Sequence, residues 1–151
     1  MDVDRFLRSL EIHALPRNGR GECAKHVRQA LEEAGVDTTG HPICAKDWGP
    51  MLARIGFAAW TVVDYHPARG DIVVFHAVPG APMGHIQAFD GSRWISDCVQ
   101  MNGFWPGPAY RTDAARFMPY RHESVDGSHE AAMYQRRARP RDAEVAGTCS
   151  R

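Results

Sequence analysis

The chain is 151 residues long, 44% hydrophobic and 24% charged, with 18 Lys and Arg set against 18 Asp and Glu. That length supports one domain with a core of its own, and the even charge excludes the basic surplus of a nucleic-acid binder. No apolar run reaches the roughly 18 residues of a membrane span, and the N-terminus builds no apolar stretch, so a protein made in the cytoplasm without a Sec signal is expected.

Val3, Phe6, Leu7 and Leu10 fall at helical spacing and predict a short leading helix over residues 1–12. Pro16, Gly19 and Gly21 break residues 15–22 into a loop. Over residues 23–34, Ala24, Val27, Leu31 and Ala34 recur at three and four, charged residues fill the other face, and Gly35 supplies a stop. This is the strongest helix in the chain, and Cys23 stands at its start. A shorter helix is predicted over about residues 47–54, with Met51, Leu52 and Ile55 inward and Gly56 at its end. β-Branched and aromatic segments then predict strands at residues 60–63, 71–75, 85–89, 93–99 and 116–120, with Asp90-Gly91 as a hairpin turn between the third and fourth. Helices followed by an antiparallel sheet define an α+β domain over residues 1–121. Residues 122–151 carry only isolated apolar side chains and predict a flexible tail, in which the arginines of residues 136–141 are diluted by nearby acids.

The sequence lacks HExxH, GxSxG, Walker-type and EF-hand patterns, and Cys23-Ala-Lys-His26 has no second pair to complete a zinc site. Neither metal nor cofactor is expected. The four cysteines are too scattered for a disulfide framework, although Cys44 and Cys98 are a candidate pair in an exported chain. Cys23 is different, because unpaired N–H groups and the dipole at a helix start favour a thiolate. A small buried residue is the commoner fate of a lone cysteine, so the thiol needs an imidazole and the imidazole an orienting group. His85 follows Gly84 at the start of a predicted strand, and His76, at the end of another, competes with it. The hairpin register decides what lies opposite His85: Ser96 with a two-residue turn, Asp97 with a three-residue loop and a bulge. The second register sets His85, Gln87 and Phe89 on one face with Ile95, Asp97 and Val99. Trp48 and Trp105 are candidate groove walls, since aromatic faces suit sugars and peptide backbones.

Gly21-Glu-Cys23-Ala-Lys-His-Val-Arg28 opening a helix, then Ala68-Arg-Gly-Asp71-Ile-Val-Val-Phe75, Gly84-His85-Ile86 and a polar residue on the next strand resemble the NlpC/P60 and CHAP peptidases of the papain-like superfamily. Within that group the chain is most similar to small peptidoglycan amidase effectors of type VI secretion, over roughly residues 19–120. The resemblance implies a permuted papain-like fold with the nucleophile helix packed on an antiparallel sheet, and hydrolysis of amide bonds in peptidoglycan stem peptides. It assigns Cys23 as nucleophile, His85 as general base and Asp97 as orienting residue, where NlpC/P60 enzymes more often use His, Asn or Gln. It further implies release into the periplasm of target bacteria, a secretion apparatus and a cognate immunity protein. A thiol hydrolase or acyltransferase of the same fold on another substrate, or a non-catalytic binding module, remains open at this level.

Overall fold

A computed structural model describes residues 1–112 and 115–123. The predicted tail at residues 122–151 lies outside them, apart from His122, which ends a strand, and Glu123. Helix α1 (Val3–His13) starts under an Asp2 cap that accepts the Arg5 N–H at 3.0 Å, and buries Phe6, Leu7, Ser9 and Leu10. Helix α2 (Cys23–Glu33) buries Cys23, Val27, Ala30 and Leu31. It ends in a Schellman motif, with Gly35 N–H donating to Glu32 O and Val36 N–H to Leu31 O, both at 3.0 Å. The predicted helix at residues 47–54 divides into a 3₁₀ turn, Ala45–Asp47, and helix α3, Gly49–Arg54, with Met51 and Leu52 buried and Ile55 half-buried.

Among the described residues five strands follow: β1 (Phe57–Ala59), β2 (Ile72–Phe75), β3 (His85–Phe89), β4 (Trp94–Ile95) and β5 (Phe117–His122), with a short helix α4 (Pro108–Thr112) before the last. They form one antiparallel sheet in the order β1-β5-β2-β3-β4. One face, with Ile72, Val74, Ile86, Ala88 and Ile95, packs against α1, α2 and α3. The other carries an aromatic cluster of Phe75, Trp94, Phe104, Tyr110 and Phe117. The architecture is therefore α+β, as the order of elements in the sequence implies.

Two predicted strands are displaced. The first spans residues 57–59 and not 60–63, because Phe57 is the side chain that reaches the core, while Val62 and Val63 are exposed and Asp64 turns at φ 55°. The fourth is only two residues long, and both proposed hairpin registers fail. Asp90 Oδ1 accepts the N–H groups of Ser92 and Arg93 at 2.7 and 2.6 Å, closing a four-residue loop that pairs Phe89 with Trp94 and Ala88 with Ile95. Neither Ser96 nor Asp97 is a strand partner of His85, whose backbone partner is Phe75 of β2. After Ile95 the chain reverses tightly, with Ser96 N–H on Cys98 O, and docks on the end of α1 where Leu15 N–H donates to Asp97 O at 2.9 Å.

A buried ion pair ties the sheet's first half together. Asp71, 1% exposed, accepts from Arg121 Nε and Nη2 at 2.8 Å each, from Tyr65 Oη at 2.9 Å and from Ala68 N–H at 2.9 Å. Arg121 also lies over the Trp60 ring, 4.3 Å from its centroid.

Candidate active site

The early end of β4 shapes the site. β3 extends past it towards its own N-terminus, so among the described residues its first three, from His85 to Gln87, have no strand neighbour on that side. The first turn of α2 reaches into this notch from the helical face, where the backbone N–H of Ile86 favours the thiolate form of Cys23. His85 reaches it from the aromatic face, its ring 6.2 Å from the centroids of both Phe75 and Tyr110. Gly84 sets the start of β3: its φ of +68° suits glycine, and a Cβ there would strike Phe75 O and Lys46.

Cys23, His85 and Asp97 line one cavity of about 570 Å³, together with Cys98, Gln100 and Tyr110. Among the described residues no hydrogen bond joins thiol to imidazole, a looseness common in sites without substrate. Burial pushes the Cys23 thiol up, the charge of Asp97 adds to that, and the Ile86 N–H only partly offsets it. The thiolate bias expected at a helix start is thus outweighed by desolvation. Burial lowers His85 to about 4, against the opposing charge of Asp97 and the amide of Gln87. Both shifts favour the uncharged forms, thiol and imidazole, near neutral pH. Tyr110, pushed up to about 12 chiefly by burial, keeps its proton in the same wall.

Asp97 arrives without the expected cross-strand pairing, and its carboxylate is occupied elsewhere. Oδ2 accepts the N–H groups of Arg20 at 2.7 Å and Glu22 at 3.0 Å, and Oδ1 accepts Ser96 Oγ–H at 3.1 Å. These bonds, backbone donors foremost, keep it ionised below the usual carboxylate range despite its burial. Gly19 packs so tightly on the carboxylate that a Cβ there would overlap it. Asp97 therefore clamps the loop that leads into α2, and reaches His85 through its charge and not through a hydrogen bond. A polar chain connects them, with Gln100 Nε2 donating to Ser96 Oγ at 2.9 Å and lying 3.4 Å from His85 Nε2.

Other candidates lie away from the cavity. Trp48 is wholly buried in the helical core and stacks at 6.1 Å on His41, so it has no face to offer a substrate. Trp105 packs on Phe75 and Phe104 in the aromatic cluster, and its neighbour Pro106 is the residue that lines the cavity. His76 is exposed just beyond β2 and lies outside the cavity. Cys44 is disulfide-bonded while Cys98 is a free thiol, so the two do not pair. Among the described residues no group of three or more His, Cys, Asp or Glu is placed to hold a metal ion, and no helix is long and apolar enough to cross a membrane. Gln87 and Gln100 were not anticipated as site residues. The signal for Gln87 was its two-residue spacing from His85, which sets both on one sheet face.

No protein-family model matches the chain, and no curated protein does. Among solved structures, a type VI native effector-immunity complex, Tae3-Tai3 from Ralstonia pickettii, matches with a TM-score of 0.74 and 37% identity, over 81% of this chain and 99% of that one. The selenomethionine form of the same complex gives 0.70 and 38%, over 77% and 98%. At that identity and coverage the class is settled as that of type VI secretion effectors. Within it, the chain belongs to the Tae3 family.

Proposed function

We propose that this effector is a cysteine amidase that hydrolyses an amide bond in the peptide stems of peptidoglycan, with Cys23 as nucleophile and His85 as general base on a permuted papain-like core of the NlpC/P60 kind. The observation that carries the reading is the convergence of Cys23, from the first turn of α2, and His85, from the start of β3, on one cavity. The effector would act in the periplasm of target bacteria after type VI delivery, and a cognate immunity protein would protect the producer. The neighbours' description as effector-immunity complexes supports that partner.

The chemistry follows from a neutral resting pair. As Cys23 Sγ attacks the amide carbon, His85 takes the thiol proton, and the carbonyl oxygen becomes an oxyanion beside the N–H of Cys23. The loop N–H groups of Arg20 and Glu22 are already held by Asp97 and are not free to share that task. Collapse breaks the C–N bond, the imidazolium protonates the departing amine, and a thioester remains on Cys23. His85 then deprotonates a water that attacks the thioester, and the returning proton restores the thiol. Asp97 stabilises the imidazolium by its charge and keeps the loop in place, while Ile43 and Met83, exposed at the cavity mouth, offer apolar contact to the stem.

Digestion of purified peptidoglycan tests the substrate: new muropeptides with a freed amine and carboxyl group are expected, their masses naming the bond, and unaltered sacculi would refute the assignment. The pH profile tests the base. Since burial holds His85 at about 4, the acid limb of kcat/KM should lie well below the ordinary histidine value of about 6.5. Stability moves in the same window. The unfolded chain takes up this proton first, so stability is lost as pH falls from about 6.5 towards 4.

A further inference from the structure

We infer that Gln87 is the positioning residue of His85: its side-chain oxygen accepts from the imidazole N–H and fixes one tautomer, while the long 3.4 Å contact of Gln100 Nε2 at His85 Nε2 yields when the ring takes the Cys23 proton. The inference rests on the reading of His85 as general base and names the group that orients it.

Gln87 is 0% exposed in the middle of β3, two residues beyond His85 and on the same sheet face. Its amide orientation is set from the far side, where Nε2 donates to Phe104 O at 2.7 Å. Phe104 is itself held in the aromatic cluster, with ring centroids 5.1 Å from Phe75 and 4.8 Å from Phe117. Fixing Nε2 turns Oε1 the other way, and this buried oxygen has no closed hydrogen bond among the described residues. Buried amide oxygens are almost always paired, so one left open beside a catalytic imidazole has a reason to be there. Both side chains stand on the same face of β3, and the Gln87 amide favours the protonated form of the ring, although no hydrogen bond is closed between them. A carboxamide oxygen can only accept, so the ring it faces must present an N–H, and that requirement selects one tautomer. The contact closes when the ring becomes imidazolium during attack. The carboxylate expected in this role is spoken for by Arg20, Glu22 and Ser96.

The test pairs Gln87→Met, which keeps the side chain's length without its polar atoms, with Gln87→Glu, which keeps an acceptor and adds charge. The His85 imidazole is titrated by NMR in the Cys23→Ala background, and kcat/KM on a soluble muropeptide is measured in the Cys23 background. Gln87→Met should move the imidazole midpoint down and lower kcat/KM by about tenfold to a hundredfold, as for other partners that orient a functional histidine. Gln87→Glu should move the midpoint up. Unchanged midpoints in both variants would overturn the proposal, even if thermal stability and kcat/KM fell together, since that pattern marks a structural amide. Failure of the base reading shows separately, as wild-type turnover by His85→Ala whatever the titrations give.

Discussion

Purified Cys23→Ala and His85→Ala should each lose stem-peptide hydrolysis by about 10⁴-fold or more while unfolding at nearly the wild-type temperature. The two losses should also fail to add, because thiol and imidazole act as one unit: the double variant is expected to match the worse single one. Neither side chain holds the fold. Cys23 contributes one sulfur to a helix start whose core contacts are made by Val27 and Leu31, and His85 sits at a strand end in the cavity wall. Activity assays beside thermal melts on the same preparations check this. A large melting shift in either variant would mean that lost activity reports lost structure.

The second large effect is on stability. Asp71→Ala removes the buried carboxylate that four hydrogen bonds converge on, and leaves the Arg121 guanidinium without that counter-charge in a half-buried site. Removing one member of such a pair costs about 3–5 kcal/mol, or about 10 °C or more in Tm for a chain of this length. The consequence is local to the sheet's first half, where Asp71 leads into β2, Arg121 lies on β5 and Tyr65 belongs to the segment joining β1 to β2. Specific activity of the folded fraction at low temperature should therefore stay close to wild type. Urea titration measures the loss, and a change under 1 kcal/mol would show that the pair is compensated from elsewhere.

Periodicity and stop signals made much of this legible in advance. The spacing from Val27 to Leu31 and the glycine at position 35 define α2 to within a residue, and the apolar run at residues 72–75 gives the central strand. What the sequence hid was decided by side chains acting on backbone. Asp90 bonds two backbone amides and lengthens the hairpin loop, which shifts every register argument about Asp97. Trp48, read as a groove wall, is the largest wholly buried side chain, because the 3₁₀ turn before α3 directs it inward. The candidate site was readable in part: the helix-start cysteine and the strand-start histidine line one cavity. The partners of His85 were not readable from the strand order, since Asp97 approaches by the reversal at residues 96–99 and not along a strand. Gln87 was visible as a face-mate of His85, yet its role depends on the Phe104 carbonyl that turns its amide, a contact seventeen residues away.

A chemical consequence of the proposed mechanism is a covalent intermediate at one of two thiols in the same cavity. Acid-quenched reactions of the wild-type protein with a muropeptide, read by intact mass and peptide mapping, should show the acyl half of the stem attached to Cys23. Cys98, held in the reversal of residues 96–99 and not at a helix start, should stay unmodified. An adduct mapped to Cys98, or hydrolysis of the same bond by Cys23→Ala at the wild-type rate, would contradict the assignment of Cys23 as the nucleophile.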